Sequence, residues 1–148
     1  MNAAHLHLLL NHVPVIGVAF CLLLALYAFM RRSRELEATA LWAFVLVAVL
    51  TVPVYLTGEP AEEIAESLPG VSEAVIEPHE ESALLALAAV EVLGLLALAM
   101  LMAGRLGGGR PRWMFVMVLV LAFVASGMMA RTANLGGQIR HTEIRSAR

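Results

Sequence analysis

Histidine is the residue type in this sequence best suited to bind a cofactor, and three of the five histidines lie at the ends of long apolar segments. His12 opens the first such segment, His79 precedes the third, and His141 follows the fourth. Imidazole is a common ligand of iron, copper and zinc in proteins. We therefore take these three residues as candidate cofactor ligands. His5 and His7, close to the N-terminus, are interpreted as polar residues of a wet surface.

Carboxylates accompany the candidate histidines. Eight of the twelve glutamates lie in residues 58–82, between the second and third apolar segments. Glu63 lies just after the second segment, and Glu80 directly follows His79. In metal sites, carboxylates either bind the ion beside imidazole or orient the ring through a hydrogen bond.

Two kinds of cofactor fit this set of side chains. In one, His12 and His79 are the axial ligands of a b-type haem between two helices of a bundle. In the other, His12, His79 and His141 hold a non-haem iron, copper or zinc ion together with Glu63 or Glu80. The many carboxylates favour the metal ion, whereas an apolar four-helix bundle favours the haem.

Four apolar segments must position these side chains. They run over residues 13–30, 40–57, 83–104 and 113–130. A membrane core about 30 Å thick requires roughly 20 apolar residues per helix. With 60% hydrophobic and 15% charged residues, a chain of 148 residues is also too apolar to fold as a soluble domain. The sequence therefore predicts an all-α integral membrane protein, a single domain whose four spans form a four-helix bundle in the lipid bilayer.

The arginines predict how this bundle is oriented. Six of them lie in the first and third loops, whereas residues 58–82 contain none. Because arginine-rich loops stay on the inner side, both termini and the acidic loop 58–82 are expected on the outer side. Trp42 and Trp113 then lie at the inner ends of their spans, as interface anchors do. All five histidines share one side of the membrane, whichever way the chain is inserted.

The outer loop contains signals for short helices. Pro60 stands at a natural first helical position with acidic residues around it, which predicts a short interfacial helix that ends at residues 68–70. A second helical turn is expected over residues 72–76. Pro78 is expected to begin the third span.

Small residues near the candidate ligands predict how the chain packs around them. Below His79 a stripe recurs at helical spacing: Ala83, Ala86, Val90, Gly94 and Ala97. Such a stripe lets helices approach closely in lipid, so His79 should face the bundle interior. After the fourth span, Gly136 and Gly137 are expected to turn the chain back over the helix ends and carry His141 to the site.

Glu91 is the one charged residue inside a predicted span. An ionisable group there is costly and often functional, so a proton path or a quinol site is one interpretation. The other is a protonated carboxyl group that is hydrogen-bonded to a neighbouring helix.

Several function classes are excluded or disfavoured. A net charge of −2 does not provide the concentrated basic face that nucleic-acid binding needs. The single Cys21 excludes a disulfide framework or a CxxC motif. The sequence contains no recognisable pairing of a nucleophile with a base, which argues against an autonomous enzyme.

These motifs resemble those of a group of small bacterial four-helix membrane proteins of unknown function. The shared marks are His12-Val13-Pro14, Thr57-Gly58, His79 and Gly136-Gly137, so the resemblance covers nearly the whole chain. Members joined to Rieske or cytochrome c domains imply a redox setting. The resemblance also implies a multi-pass protein of the bacterial inner membrane.

We therefore expect a small membrane protein that binds a redox cofactor through outer-side histidines. It would transfer electrons to a periplasmic or membrane-bound partner. The alternative is a structural or accessory subunit of a larger membrane complex, with no cofactor of its own.

Overall fold

A computed structural model describes residues 2–145 of the chain. Within these residues the protein is almost entirely helical and has no strand. The helices are α1 (Ala3–Leu10), α2 (His12–Arg31), α3 (Arg34–Leu56), α4 (Gly58–Glu66), α5 (Glu73–Arg105) and α6 (Arg112–Arg140), followed by a 3-10 turn at Thr142–Ile144. The all-helical prediction is confirmed.

The four long helices form a closed ring. Helix α3 packs between α2 and α5, and α6 packs between α5 and α2. Because consecutive long helices are neighbours joined by short connections, they alternate in direction. We call the end where α2 and α5 begin the histidine end, and the end where α3 and α6 begin the arginine end. The short helices α1 and α4 pack against each other at the histidine end.

The exterior of the bundle is as apolar as its interior. Four helical stretches are long and apolar enough to cross a membrane, and each contains one of the four predicted spans. Large side chains such as Phe20, Leu46, Leu95 and Phe123 are mostly exposed on the outside. Contiguous exposed apolar surface of this kind is typical of contact with lipid rather than water. The four long apolar helices are consistent with a multi-pass membrane protein.

Small side chains fill the interior, where helices lie close together. The buried core includes Ala25, Ala28, Ala40, Ala86, Ala97, Ala122 and Ala125, with Phe44 and Phe115 as its largest members. The stripe below His79 is confirmed over most of its length, because Ala86, Val90, Gly94 and Ala97 are all buried. At Gly94, an added Cβ would overlap the Cβ of Ala48 on α3.

Two expectations about helix ends are wrong. Helix α5 begins at Glu73, so Pro78 lies within it and does not start it. At this position the proline lacks the N–H that would donate to the main-chain oxygen of Ala74, so α5 continues through it with one backbone hydrogen bond fewer. Gly136 and Gly137 do not turn the chain, since both lie inside α6, which continues to Arg140. The short helix expected near Pro60 is confirmed as α4.

The long helices extend beyond their apolar parts. A helix of 33 residues such as α5 is about 50 Å long, whereas the hydrocarbon core is about 30 Å thick. Residues 73–82 therefore lie outside the apolar segment 83–104, and His79 is among them. In the same way α1 and α4 lie outside the apolar segments 13–30 and 40–57.

Candidate cofactor site at the histidine end

His79 is held between α5 and α6. Its Nδ1 lies 3.0 Å from the main-chain oxygen of Thr132, and the ring is partly buried. A carbonyl oxygen only accepts hydrogen bonds, so Nδ1 carries the proton and donates it. The neutral ring then keeps its lone pair on Nε2. One turn further along, the hydroxyl groups of Ser82 and Thr132 are hydrogen-bonded at 2.7 Å, which fixes the same pair of helices.

A glycine makes room for the His79 ring. A Cβ added at Gly136 would lie 2.9 Å from Cε1 and 3.1 Å from Nδ1 of His79. Such distances are shorter than ordinary carbon contacts, so the ring rests directly on the backbone of α6. The role of Gly136 is this close approach, within a regular helix.

His7 lies on α1 and reaches the end of α3. Its Nδ1 is 3.2 Å from the main-chain oxygen of Val54 and 3.1 Å from Oγ1 of Thr57. The Thr57 hydroxyl donates to the same Val54 oxygen at 2.7 Å, so its own oxygen is free to accept. His7 therefore donates through Nδ1 and, like His79, keeps the lone pair on Nε2. The structure differs here from the sequence interpretation, because His7 is half-buried and bonded rather than a wet surface residue.

The two imidazoles are neighbours in an environment that favours their neutral form. Burial lowers the pKa of His79 below its ordinary value. Burial, and secondly the nearby His79 ring, lower the pKa of His7. Both rings lie outside the apolar segments of the bundle. A neutral imidazole is the form that binds metal ions, so both side chains are ready to act as ligands near neutral pH.

A pair of carboxyl groups links α4 to α5 at the histidine end. A hydrogen bond to Glu80 raises the pKa of Glu62 above its ordinary value, with smaller contributions from burial and from the Glu80 charge. Glu80 follows His79 directly along α5. Glu63 is exposed on α4.

His12 and His141, the other two predicted ligands, contact residues close to them in sequence. His12 is exposed, and its Nδ1 lies 3.0 Å from the main-chain oxygen of Leu8. His141 is exposed at the end of α6, with Nδ1 2.8 Å from a Glu143 carboxylate oxygen. Hydrogen bonds from its own backbone N–H and from His141 lower the pKa of Glu143. None of these contacts joins His12 or His141 to His79.

The C-terminal segment is tied down over the end of α6. The Arg145 guanidinium donates to the main-chain oxygens of Gln138, Ile139 and Gly70, at 2.7, 2.8 and 2.9 Å. It thereby connects the end of α6 to the loop between α4 and α5.

Across residues 2–145, no group of three or more histidine, cysteine or acidic side chains is arranged to surround a metal ion.

Glu91 lies apart from this site, within the apolar part of α5. Its Oε1 is buried and has no hydrogen-bond partner among residues 2–145. A groove of about 100 Å³ adjoins it, lined also by Val45, Ala48, Val49, Gly94, Leu95 and Leu98. The carboxyl group therefore faces an apolar hollow between α3 and α5.

Comparisons with known proteins leave the family open. No family model, no curated protein and no solved structure matches this chain. The resemblance to small four-helix membrane proteins therefore stays a prediction. The functional argument rests on the residues of the site.

His7 is the site residue that sequence reasoning missed. It precedes the first predicted span by six residues, and nothing in its immediate neighbourhood marks it as a ligand. Its position depends on α1 packing against α4 and reaching the end of α3. The one available signal is the apolar run around it, Leu6 and Leu8–Leu10, which favours a packed helix over a solvated tail.

Proposed function

We propose that the protein binds a redox-active metal ion at its histidine end and serves electron transfer. His79 and His7 would be the imidazole ligands. The observation that carries this proposal is a shared arrangement: both rings donate Nδ1–H to fixed acceptors, which leaves Nε2 unprotonated. The two rings also lie near enough for the charge of His79 to lower the pKa of His7. A hydrogen bond from the non-ligating nitrogen to a carbonyl is the usual way in which a protein orients a metal-binding histidine.

The surrounding groups support iron or copper, the redox-active members of the predicted set, rather than a harder cation. Imidazole nitrogen suits these metals, and carboxylates complete many of their sites. Glu80, which follows His79 in the sequence, and its hydrogen-bond partner Glu62 are the carboxyl groups proposed to complete the site, and a bound cation would favour their deprotonated forms. Of the ligands predicted from the sequence, His79 and Glu80 remain in the proposed set, and His7 takes the place of His12. His141 and Glu63 lie outside it.

A metal ion is favoured over a b-type haem. A haem needs a wide flat slot between helices, whereas alanines bring these helices close together and Gly94 meets Ala48 without a gap. Two small cavities, of about 130 and 100 Å³, lie at the arginine end and beside Glu91, and neither is lined by His7 or His79. Open coordination positions would instead be filled by water or by a partner's group.

Metal content and the visible spectrum of the purified protein test this proposal. We expect about one transition-metal ion per chain, and we expect H79A and H7A each to lose it, since each removes an imidazole ligand. H5A is the matched control, because His5 is exposed on the same helix as His7. Absence of both stoichiometric metal and haem bands in the wild-type protein would overturn the proposal. Haem bands lost in H79A would favour the haem instead.

In this proposal the site lies on the outer side of the bacterial inner membrane. The partner would be a periplasmic or membrane-bound redox protein that reaches the histidine end. Placement near the membrane surface supports such transfer, because a soluble partner can approach the ligands without entering lipid.

An accessory subunit of a larger membrane complex is the second candidate function. It is favoured by Glu91, whose buried oxygen lacks a partner among residues 2–145 and faces an apolar groove. An unsatisfied carboxyl group in lipid is costly, and a polar group on a neighbouring helix would relieve the cost. The proposed occupant is therefore a membrane helix of another subunit that hydrogen-bonds to Glu91.

Two substitutions at one position test the accessory function. E91Q keeps an oxygen that accepts hydrogen bonds, whereas E91L removes it, so co-purification of partner subunits should survive E91Q and fall severalfold in E91L. H7A should leave co-purification unchanged. Equal recovery of partners with E91L and wild type would show that this groove is not the contact.

A further inference from the structure

The arginine end carries a concentration of positive charge that the proposed redox function does not use. Six of the ten arginines lie there, against two glutamates, Glu35 and Glu37, which leaves a formal charge of +4. The arginines are Arg31, Arg32, Arg34, Arg105, Arg110 and Arg112. They come from two loops that are adjacent in the bundle.

Two of these arginines serve to join the loops. Arg34 donates to the main-chain oxygen of Arg110 at 2.7 Å, and Arg110 donates to the main-chain oxygen of Arg34 at 2.9 Å. Arg34 also pairs with Glu37 at 3.1 Å, and Glu37 is 4% exposed. The charge of Glu37 is thus compensated inside the protein, and the two loops are locked together.

Two other arginines have no such role. Among residues 2–145, no hydrogen bond or ion pair engages the guanidinium of Arg32 or of Arg112. Arg112 is held in place by stacking, with its guanidinium carbon 4.1 Å from the centre of the Phe29 ring. Arg32 adopts φ 52°, a left-handed conformation that is unfavourable for a residue with a side chain. Both guanidinium groups are therefore unpaired within the described residues, and that of Arg112 is also held in position by the Phe29 ring.

These groups surround a cavity. A hollow of about 130 Å³ is lined by Arg32, Arg34, Glu37 and Arg112. Helices α3 and α6 begin beside it and α2 ends there, with Arg32 as its C-cap, so the helix dipoles partly cancel and the guanidinium groups supply the positive charge of the lining. With Glu37 neutralised by Arg34, the lining keeps a net charge of +2. Guanidinium groups bind phosphate through paired, charge-assisted hydrogen bonds.

We propose that this cavity binds a phosphate group, and that an anionic phospholipid headgroup supplies it. The lipid is favoured over free phosphate by the position of the cavity. Trp42 and Trp113 are exposed at the same end of the bundle, where such side chains mark the membrane interface. Arg105 lies over the Trp42 ring at 5.3 Å and continues the basic rim. Basic pockets between membrane helices are known binding sites for acidic lipid headgroups. This inference is independent of the metal site.

Thermal unfolding of the full chain in mixed micelles tests this assignment. Phosphatidylglycerol is compared with phosphatidylcholine, for the wild type and for R32Q/R112Q. We expect phosphatidylglycerol to raise the unfolding temperature of the wild type, and the apparent affinity to fall about tenfold or more in the variant, since each lost charge-assisted hydrogen bond costs roughly a factor of ten. The matched control is R131Q/R140Q, which removes the same charge from the histidine end.

Each of three outcomes would overturn one part of the proposal. An equal response of R32Q/R112Q and wild type would exclude the cavity as the site. An equal loss of apparent affinity for phosphatidylglycerol in R131Q/R140Q would mean that only the overall charge of the protein attracts the lipid. Stabilisation by inorganic phosphate at the same concentration as the lipid would replace the lipid by free phosphate.

Discussion

Replacing Gly94 by alanine is expected to lower the free energy of unfolding by about 3 kcal/mol, at the upper end of the range for overpacked cores. The new Cβ would overlap the Cβ of Ala48, in the extensive interface between α3 and α5. Neither atom belongs to a flexible side chain, so relief requires the two helix backbones to separate. Separation would in turn weaken the packing of the alanines on both sides of the contact.

A reciprocal exchange shows whether this overlap is the cause. A48G/G94A removes the methyl group of Ala48 from α3 and adds one at position 94 on α5. The space between the two helices then contains one methyl group, as in the wild type. We expect the double variant to recover most of the loss, because the helix-propensity cost of the new glycine on α3 is offset by the gain from the new alanine on α5. A48G alone should cost about 1 kcal/mol. The coupling between the two sites should therefore be large and favourable.

Unfolding by a denaturing detergent, followed by circular dichroism, measures these differences. G127A is the control, because a Cβ added at Gly127 meets nothing within 4 Å. G127A should leave stability unchanged or raise it slightly. Additive effects of A48G and G94A, or equal losses in G94A and G127A, would contradict the close contact between α3 and α5.

The positions of the four long apolar helices could be predicted because they depend on a single property, hydropathy. A segment of about 20 apolar residues has no other way to satisfy its backbone in lipid, so hydropathy alone places all four. Helix ends are less constrained. Residues 73–82 are polar and lie outside the apolar segment, where a loop or a helix would both be soluble, and the continuous helix α5 depends on packing of Ile76 and Ser82 against the bundle.

Helical geometry explains why His79 faces the bundle and His12 does not. The buried residues of α5 continue the line from His79 through Ser82, Ala86 and Val90 at intervals of three and four. On α2 the buried line instead starts at Pro14. His12 is two residues before it, about 200° around the helix, and so faces away from the core. The sequence alone does not show which face of α2 is buried. Without that information, it cannot be predicted that His79 faces the core and His12 does not.

The glycines after the fourth span illustrate a second limit of prediction from local sequence patterns. Two adjacent glycines usually indicate a turn, and the sequence offers no sign that the helix continues through them. In the structure Gly136 is required for its lack of a side chain, because the His79 ring occupies the space. Such a contact links residues 57 positions apart along the chain. Its detection requires the packing of α5 on α6, which local patterns do not contain.

Replacing Gly136 by alanine is therefore expected to displace the His79 ring. The added Cβ would lie 2.9 Å from Cε1, so the ring must rotate away from α6. Rotation breaks the hydrogen bond from Nδ1 to the Thr132 oxygen and moves Nε2 away from His7. If the two histidines bind a metal ion, its affinity should fall by about 10- to 100-fold, the usual cost of losing the group that orients a ligand.

The neighbouring glycine provides the control. A Cβ at Gly137 would lie 3.6 Å from Cδ1 of Ile144, which is an ordinary van der Waals contact. Both substitutions raise helix propensity by up to about 1 kcal/mol, so that effect cancels between them. G137A should keep the metal and gain stability slightly. G136A should lose the metal and gain nothing, because the broken hydrogen bond offsets the better propensity.

A second measurement distinguishes the orientation of the His79 ring from the binding of a metal ion. Nitrogen NMR of the metal-free protein reports which ring nitrogen of His79 carries the proton. In the wild type and G137A the Nδ1-protonated tautomer should dominate, since the Thr132 oxygen holds it. In G136A both tautomers should be populated, because the ring loses this acceptor. A tautomer change without any effect on metal content would remove His79 from the ligand set and leave its packing on Gly136 intact. An unchanged tautomer in G136A would mean that the ring does not rest on α6 at all.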